Sequence, residues 1–299
     1  MADATLRRAP HPDAPLPAPR HRARAHGVAG PAVSLGAGAV EAPSDGLVVR
    51  DLAVSFGGVA ALGGITFAVR PDTITSLIGP NGAGKTTAFD AITGYIRPTR
   101  GEIRYGEASL TGLRPCDIAA RGIVRTFQRT SVFPQLTVTE NVMIGLHLRG
   151  TASLSGILWG SRRVADEEAR LARAAQEILA FVGLAGRRRQ IAVEMAYGEQ
   201  RLLELAVALA AKPRLLLLDE PAAGMAPAGK VAVTRLILGI RDQGVTVLMV
   251  EHDMRLVMGV SDRVVVLNYG RVIAEGPPDA VQAHPDVIRA YLGARHADA

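Results

Sequence analysis

From Leu47 onward, short aliphatic runs alternate with longer stretches whose apolar residues recur every three or four positions. Leu47–Val54 and Val59–Val69 read as strands around a Gly57-Gly58 turn, and Ile74–Ile78 as a third strand running into a glycine-rich loop. Lys85–Thr93 reads as a helix. Further strands are predicted at Glu102–Tyr105, Ile123–Phe127, Leu215–Asp219, Val245–Val250 and Val264–Leu267, with helical patterns between most of them. Such alternation buries a largely parallel sheet between helical layers, so the expected class is α/β. Between Asn141 and Val193 the pattern turns mainly helical, with Asp166–Phe181 at helix-like spacing and Gly150–Gly160 as a loop; this implies a helical insertion over about residues 135–200. Trp159 within that loop is a contact for a partner or a simple packing residue.

Residues 1–45 follow neither period. They are rich in Ala, Pro and Arg and cannot bury enough apolar surface to offset ordering entropy, so a disordered extension is expected there, with the folded unit at 46–299. The prolines oppose the amphipathic helix of an organellar transit peptide, and a secretory apolar core is missing. The whole chain has 299 residues, 48% of them hydrophobic and 21% charged, the balance of a globular protein with one or two cores. Its net charge of +6 changes the picture little, because Arg7, Arg8, Arg20, Arg22 and Arg24 crowd into the extension against Asp3 and Asp13. That is a solvated bias rather than a nucleic-acid footprint. With Cys116 as the single cysteine no internal disulfide forms, and a reducing compartment is expected. No run reaches the roughly 18 apolar residues of a spanning helix, so any membrane role is borrowed from a partner.

The glycine-rich loop carries the first chemistry. Gly79-Pro80-Asn81-Gly82-Ala83-Gly84-Lys85-Thr86, followed by Thr87, satisfies the phosphate-loop pattern and stands between a strand and a helix, where that pattern works. Its glycines let backbone N–H groups turn toward phosphates, the helix N-terminus adds partial positive charge, Lys85 reaches the outer phosphates, and the Thr86 hydroxyl suits Mg2+. Downstream, Leu215–Leu218 ends in Asp219 and Glu220. A carboxylate at that strand end is where a metal is held, and the next one, off the strand, is placed to polarise water or take its proton.

Met195-Ala196-Tyr197-Gly198-Glu199-Gln200, ahead of an amphipathic helix, goes beyond a generic phosphate-loop protein. It resembles the signature loop of ABC ATPases, and the resemblance covers roughly Leu47 to Gly293. It implies a cassette with a RecA-like core, an antiparallel β-subdomain and an inserted helical subdomain. It also implies ATP and Mg2+ as cofactors, Gln128 of Arg125-Thr-Phe-Gln as the Q-loop glutamine, His252 of Val250-Glu-His-Asp as the switch histidine, and Phe56 stacked on adenine. Catalysis then falls to Glu220, His252 and Gln128, and the metal to Thr86, Gln128 and Asp219. In this family Ala196, Tyr197, Gly198 and Glu199 complete the nucleotide site of a facing cassette.

Ala196 replaces the common signature serine, Tyr197 a glycine and Glu199 a glutamine, and Ala226 stands where the wider family often has Asp. The Ala-Tyr-Gly version, Asp219-Glu-Pro-Ala-Ala-Gly-Met, and the ending His284-Pro-Asp-Val-Ile-Arg-Ala-Tyr-Leu-Gly293 are similar to ATPases that import branched-chain amino acids. That implies transmembrane permease subunits, a second ATPase subunit and a solute-binding protein as partners, no nucleic acid, and a peripheral position at the cytoplasmic face of the inner membrane. Another amino acid, an amide or urea stays open as cargo. A non-transport ABC ATPase would carry a long coiled coil or a second cassette, and a small-molecule kinase would have no use for the signature or His252.

Overall fold

The computed structural model describes residues 45–126, 132–147 and 162–294. The expected disordered extension up to residue 44, the loop at 150–160 with Trp159, and Gln128 lie outside the described residues.

Two sheets organise the chain. Strands β1 (Leu47–Phe56), β2 (Val59–Val69), β4 (Arg100–Tyr105) and β5 (Ala108–Ser109) form an antiparallel sheet in the order β2-β1-β4-β5. The larger sheet contains β3 (Ile74–Ile78), β6 (Ile123–Arg125), β7 (Leu215–Asp219), β8 (Thr246–Val250), β9 (Arg263–Asn268) and β10 (Arg271–Gly276), ordered β10-β9-β3-β8-β7-β6. All its pairings are parallel except β10 with β9. The helices are α1 (Lys85–Ile92), α2 (Pro115–Ala120), α3 (Val138–His147), α4 (Arg162–Phe181), α5 (Tyr197–Ala210), α6 (Pro227–Asp242), α7 (Met254–Val260), α8 (Pro278–Gln282) and α9 (Pro285–Ala294).

The large sheet is covered on both faces, which is why β3, β7 and β8 are buried at every position and read as continuous rather than alternating apolar runs. Alternate residues still divide by face. Ile74, Leu216, Leu218, Val247 and Met249 join a core with Val142, Leu171, Leu179 and Leu203 of α3–α5. Leu77, Leu215, Leu217, Leu248 and Val265 join a second core with Phe89 and Ile92 of α1 and Phe67 of β2.

The sequence pattern missed β10, whose Arg271-Val-Ile-Ala-Glu-Gly reads as neither a clean alternation nor a long run. Its signal lay in the turn. Tyr269 and Gly270 both have positive φ (45° and 72°) between the paired residues Asn268 and Arg271, the two-residue geometry of a type I′ hairpin. This hairpin ties the antiparallel sheet to the phosphate loop, because Gly270 accepts from Gly63 N–H at 2.8 Å and donates to Ala83 O at 3.0 Å. The second difference is at Tyr197–Glu199, which form the first turn of α5 rather than a loop before it.

The carboxy-terminal helix α9 reaches the same loop. Burial pushes the Tyr291 phenol up to about 12, against a hydrogen bond from the Gly79 backbone. A folded value above the ordinary 10.0 means that this contribution to stability is whole below pH 10.0 and is lost as pH rises toward about 12. Urea midpoints across this range are expected to fall less steeply for Tyr291→Phe than for the wild type; parallel curves would contradict the placement.

Candidate active site

The phosphate loop is shaped by close approach. Gly79 has φ +151° and a Cβ there would lie 2.1 Å from Leu267 O; Gly84 has φ +101° and a Cβ there would meet Leu62 Cδ2 at 2.7 Å and Ala61 O at 2.8 Å. Only glycine fits these two positions, so the loop is clamped between β9 and β2 while Asn81, Gly82 and Thr86 face outward and Pro80 and Thr87 are half-buried. Gly84 caps α1, whose first turn carries no acidic residue, so its free N–H groups and dipole favour an anion. Lys85 is buried and donates through Nζ to Gly79 O (2.7 Å) and Pro80 O (2.9 Å). Burial pulls its ammonium below the ordinary lysine value, and the nearby Glu220 and Asp219 carboxylates oppose that shift.

Sheet register brings the other groups to this loop. Leu77 pairs with Val250 and Val250 with Asp219, so the ends of β3, β8 and β7 lie level, and residues 79, 252 and 220 leave the sheet at one carboxyl edge. In open α/β sheets that edge is where ligands bind. Glu220 adopts a left-handed backbone (φ 50°), a conformation costing a non-glycine residue roughly 1–2 kcal/mol. Its N–H donates to Val250 O at 2.9 Å, and its Oε1 lies 3.1 Å from His252 Nε2. A carboxylate beside an imidazole can accept a proton from water and stay oriented while doing so.

Asp219 is 3% exposed. Its Oδ2 accepts from Arg125 Nη2 at 2.8 Å, whereas Oδ1 has no hydrogen-bond partner among the described residues. Arg125 also binds Asp90 and Thr93 Oγ1 (3.3 Å) on or just beyond α1, and lies over the Phe89 ring at 5.5 Å. Sequence reasoning gave Arg125 no role. A basic residue in an otherwise apolar strand was the available signal, but its partners are 35 and 94 residues away.

The orphaned Asp219 oxygen and the exposed Thr86 hydroxyl are hard donors suited to Mg2+. Among the described residues no cluster of three or more His, Cys, Asp or Glu could hold a metal. The donor set therefore fits an ion completed by phosphate oxygens rather than by a protein cage.

The signature residues lie against the turn after Glu220. Ala196 is the N-cap of α5 and cannot accept a capping bond, but Glu199 Oε2 accepts from Ala196 N–H at 3.3 Å and Oε1 from Arg187 Nε at 2.9 Å. A Cβ on Gly224 would lie 3.1 Å from the Tyr197 ring, and one on Gly198 would lie 3.5 Å from Met225 Cε. Arg201 Nε donates to the Tyr197 hydroxyl at 3.0 Å and Nη1 to Glu204 at 2.8 Å. Phe56 is 52% exposed at the end of β1, paired with Val59 across the hairpin.

Residues 62–223 match the family described as ABC transporter. This chain belongs to that family. Its carboxy-terminal residues 271–297 match the family described as branched-chain amino acid ATP-binding cassette transporter. The chain is 44% identical over 250 residues to the high-affinity branched-chain amino acid transport ATP-binding protein LivG of Salmonella typhimurium, covering 83% of this chain and 97% of that one. It is 40% identical to the corresponding protein BraF of Pseudomonas aeruginosa, with the same coverage. A solved nucleotide-free ATP-binding cassette from an ABC transporter superposes with a TM-score of 0.72 at 29% identity, over 83% of this chain and 98% of the other. The protein is thus an ABC ATPase with the α/β cassette fold.

Within the cassette, Arg125 is the counter-charge of a nearly inaccessible carboxylate, with side chains 6% and 3% exposed. Arg125→Ala is expected to destabilise the protein by about 3–5 kcal/mol in urea unfolding, because it strands Asp219. Combining it with Asp219→Ala should recover part of that loss. A loss below about 1 kcal/mol in the single variant, as for an exposed pair, would contradict the role given to Arg125.

Proposed function

We propose that this cassette hydrolyses MgATP to drive import of branched-chain amino acids through membrane permease subunits, at the cytoplasmic face of the membrane. The observation carrying this reading is the meeting, at one sheet edge, of a phosphate-cradling loop, Lys85, the half-satisfied Asp219 and the Glu220–His252 pair. The cargo rests on the relatives named for branched-chain amino acid transport and on the carboxy-terminal family match. Among the described residues no helix is long and apolar enough to cross a membrane; in this reading the permease subunits provide the pathway.

In this reading Gly79–Thr87 and the α1 N-terminus hold the triphosphate through backbone N–H groups, and Lys85 leaves its two carbonyl partners to neutralise phosphate charge. Thr86, Asp219 and Gln128 would hold Mg2+, which would supply charge neutralisation at the phosphates. Glu220 orients the attacking water and accepts its proton, while His252 fixes the Glu220 carboxylate. Phe56 stacks on adenine. Ala196–Glu199 of a second cassette close the site, so hydrolysis and dimer closure are linked. Because closure favours ATP over its products, the cycle moves the permease through that difference in affinity. The helical region at about 135–200 grips the permease, Gln128 is the lever that joins it to the sheet, and a solute-binding protein delivers the cargo.

Glu220→Gln should reduce turnover by about a hundredfold or more while ATP affinity stays within a fewfold; unchanged hydrolysis would refute the role of Glu220. Lys85→Ala should weaken ATP binding by about ten- to a hundredfold in a direct titration, the range of a hydrogen bond to a charged group. Co-purified membrane subunits reconstituted with this chain should take up labelled leucine, isoleucine and valine. Uptake of an amide or urea instead would replace the cargo and leave the ATPase intact.

A further inference from the structure

Glu251 is 4% exposed, and its carboxylate receives three backbone N–H groups. Ala222 N–H donates to Oε1 at 2.8 Å, and His252 N–H (2.9 Å) and Asp253 N–H (3.3 Å) donate to Oε2. These donors come from two different segments. Ala222 lies in the turn that leaves Glu220, closed by Ala223 N–H to Glu220 O at 3.1 Å and Met225 N–H to Ala222 O at 3.3 Å. His252 and Asp253 begin the loop after β8. One buried carboxylate therefore binds the backbones that carry both members of the Glu220–His252 pair.

Strain at Glu220 makes this contact consequential. A left-handed non-glycine residue persists only where its surroundings over-determine it. Here the hydrogen bond from Glu220 N–H to Val250 O fixes one side of the residue and that from Ala222 N–H to Glu251 fixes the other. The same turn continues into Gly224 and Met225, which pack on Tyr197 and Gly198 at the start of α5. A continuous set of contacts then runs from the signature residues through Ala222 and Glu251 to His252.

We propose that Glu251 is a positioning residue for ATP hydrolysis: its carboxylate sets the separation of Glu220 from His252 and joins that pair to the turn on which the signature helix rests. This rests on the functional reading above. The His252 loop has other anchors, since Asp253 accepts from Lys230 Nζ at 2.7 Å and caps α7 through Arg255 and Leu256 N–H. Losing Glu251 contacts should consequently misplace the pair without unfolding the protein. In Glu251→Gln an NH2 group must face either Ala222 N–H or the His252 and Asp253 N–H groups, donor against donor. Glu251→Asp keeps the charge but is one methylene too short to reach both segments.

The test is steady-state hydrolysis by the full chain assembled with its second cassette and permease subunits, together with urea unfolding of the full chain. In both variants kcat should fall by about ten- to a hundredfold, the scale of a misplaced catalytic group, with KM for ATP within twofold and a single cooperative urea transition whose midpoint is lowered by the unpaired buried N–H groups. In a His252→Ala background, adding Glu251→Gln should lower kcat by less than about twofold, because two residues acting as a unit are not additive. A wild-type kcat in Glu251→Gln would overturn the proposal alone. So would a loss shared equally between kcat and KM, or full additivity with His252→Ala. Absence of hydrolysis by the wild-type chain assembled with its second cassette and permease subunits would overturn the functional reading and the proposal together.

Discussion

The level pairing of β3, β8 and β7 is the constraint on which the site depends. Parallel hydrogen bonding aligns Leu77, Val250 and Asp219, so three chain segments leave the sheet side by side although they are far apart in sequence. A slip by one residue in any of these strands would turn its side chains to the opposite face and send Leu77 or Asp219 into the wrong layer. The two cores make that slip expensive, because alternate residues of each strand belong to different clusters. Packing therefore fixes register, and register brings the charged groups together.

Charge is arranged around that edge in pairs that differ in burial. Arg125 and Asp219 are almost inaccessible and join β6 and β7 to α1 through Asp90. One Asp219 oxygen is thereby engaged, and the other is left without a hydrogen-bond partner among the described residues. Lys85 lies between burial, which disfavours its charge, and the two carboxylates, which favour it. A ligand with several negative charges shifts this balance strongly toward the charged lysine. Glu220 and His252 are more accessible than the Arg125–Asp219 pair.

The loop at 79–86 and the strand ending in Asp219 and Glu220 were legible in the sequence because each is a short local pattern with its own structural context. The α/β class was legible for a similar reason, since strand and helix patterns alternate. Arg125 and Glu251 carry little local signal, because their importance lies in pairings across 94 and 29 positions that no local period reports. The start of α5 was placed too late because Tyr197 and Gly198 are poor helix formers; Glu199 accepts the Ala196 N–H and holds the first turn there. β10 was missed because its short apolar stretch depends on hairpin pairing rather than on its own pattern. Gln128, expected from resemblance, lies outside the described residues.

One structure determination bears most directly on this account: the full chain crystallised with Mg2+ and a non-hydrolysable ATP analogue. The expected result has the triphosphate against the backbone of Gly79–Thr86, Lys85 Nζ on a phosphate oxygen instead of the Gly79 and Pro80 carbonyls, and Asp219 Oδ1 directed at the metal. A nucleotide bound elsewhere, with Lys85 still on those carbonyls and Asp219 Oδ1 remote from Mg2+, would contradict it.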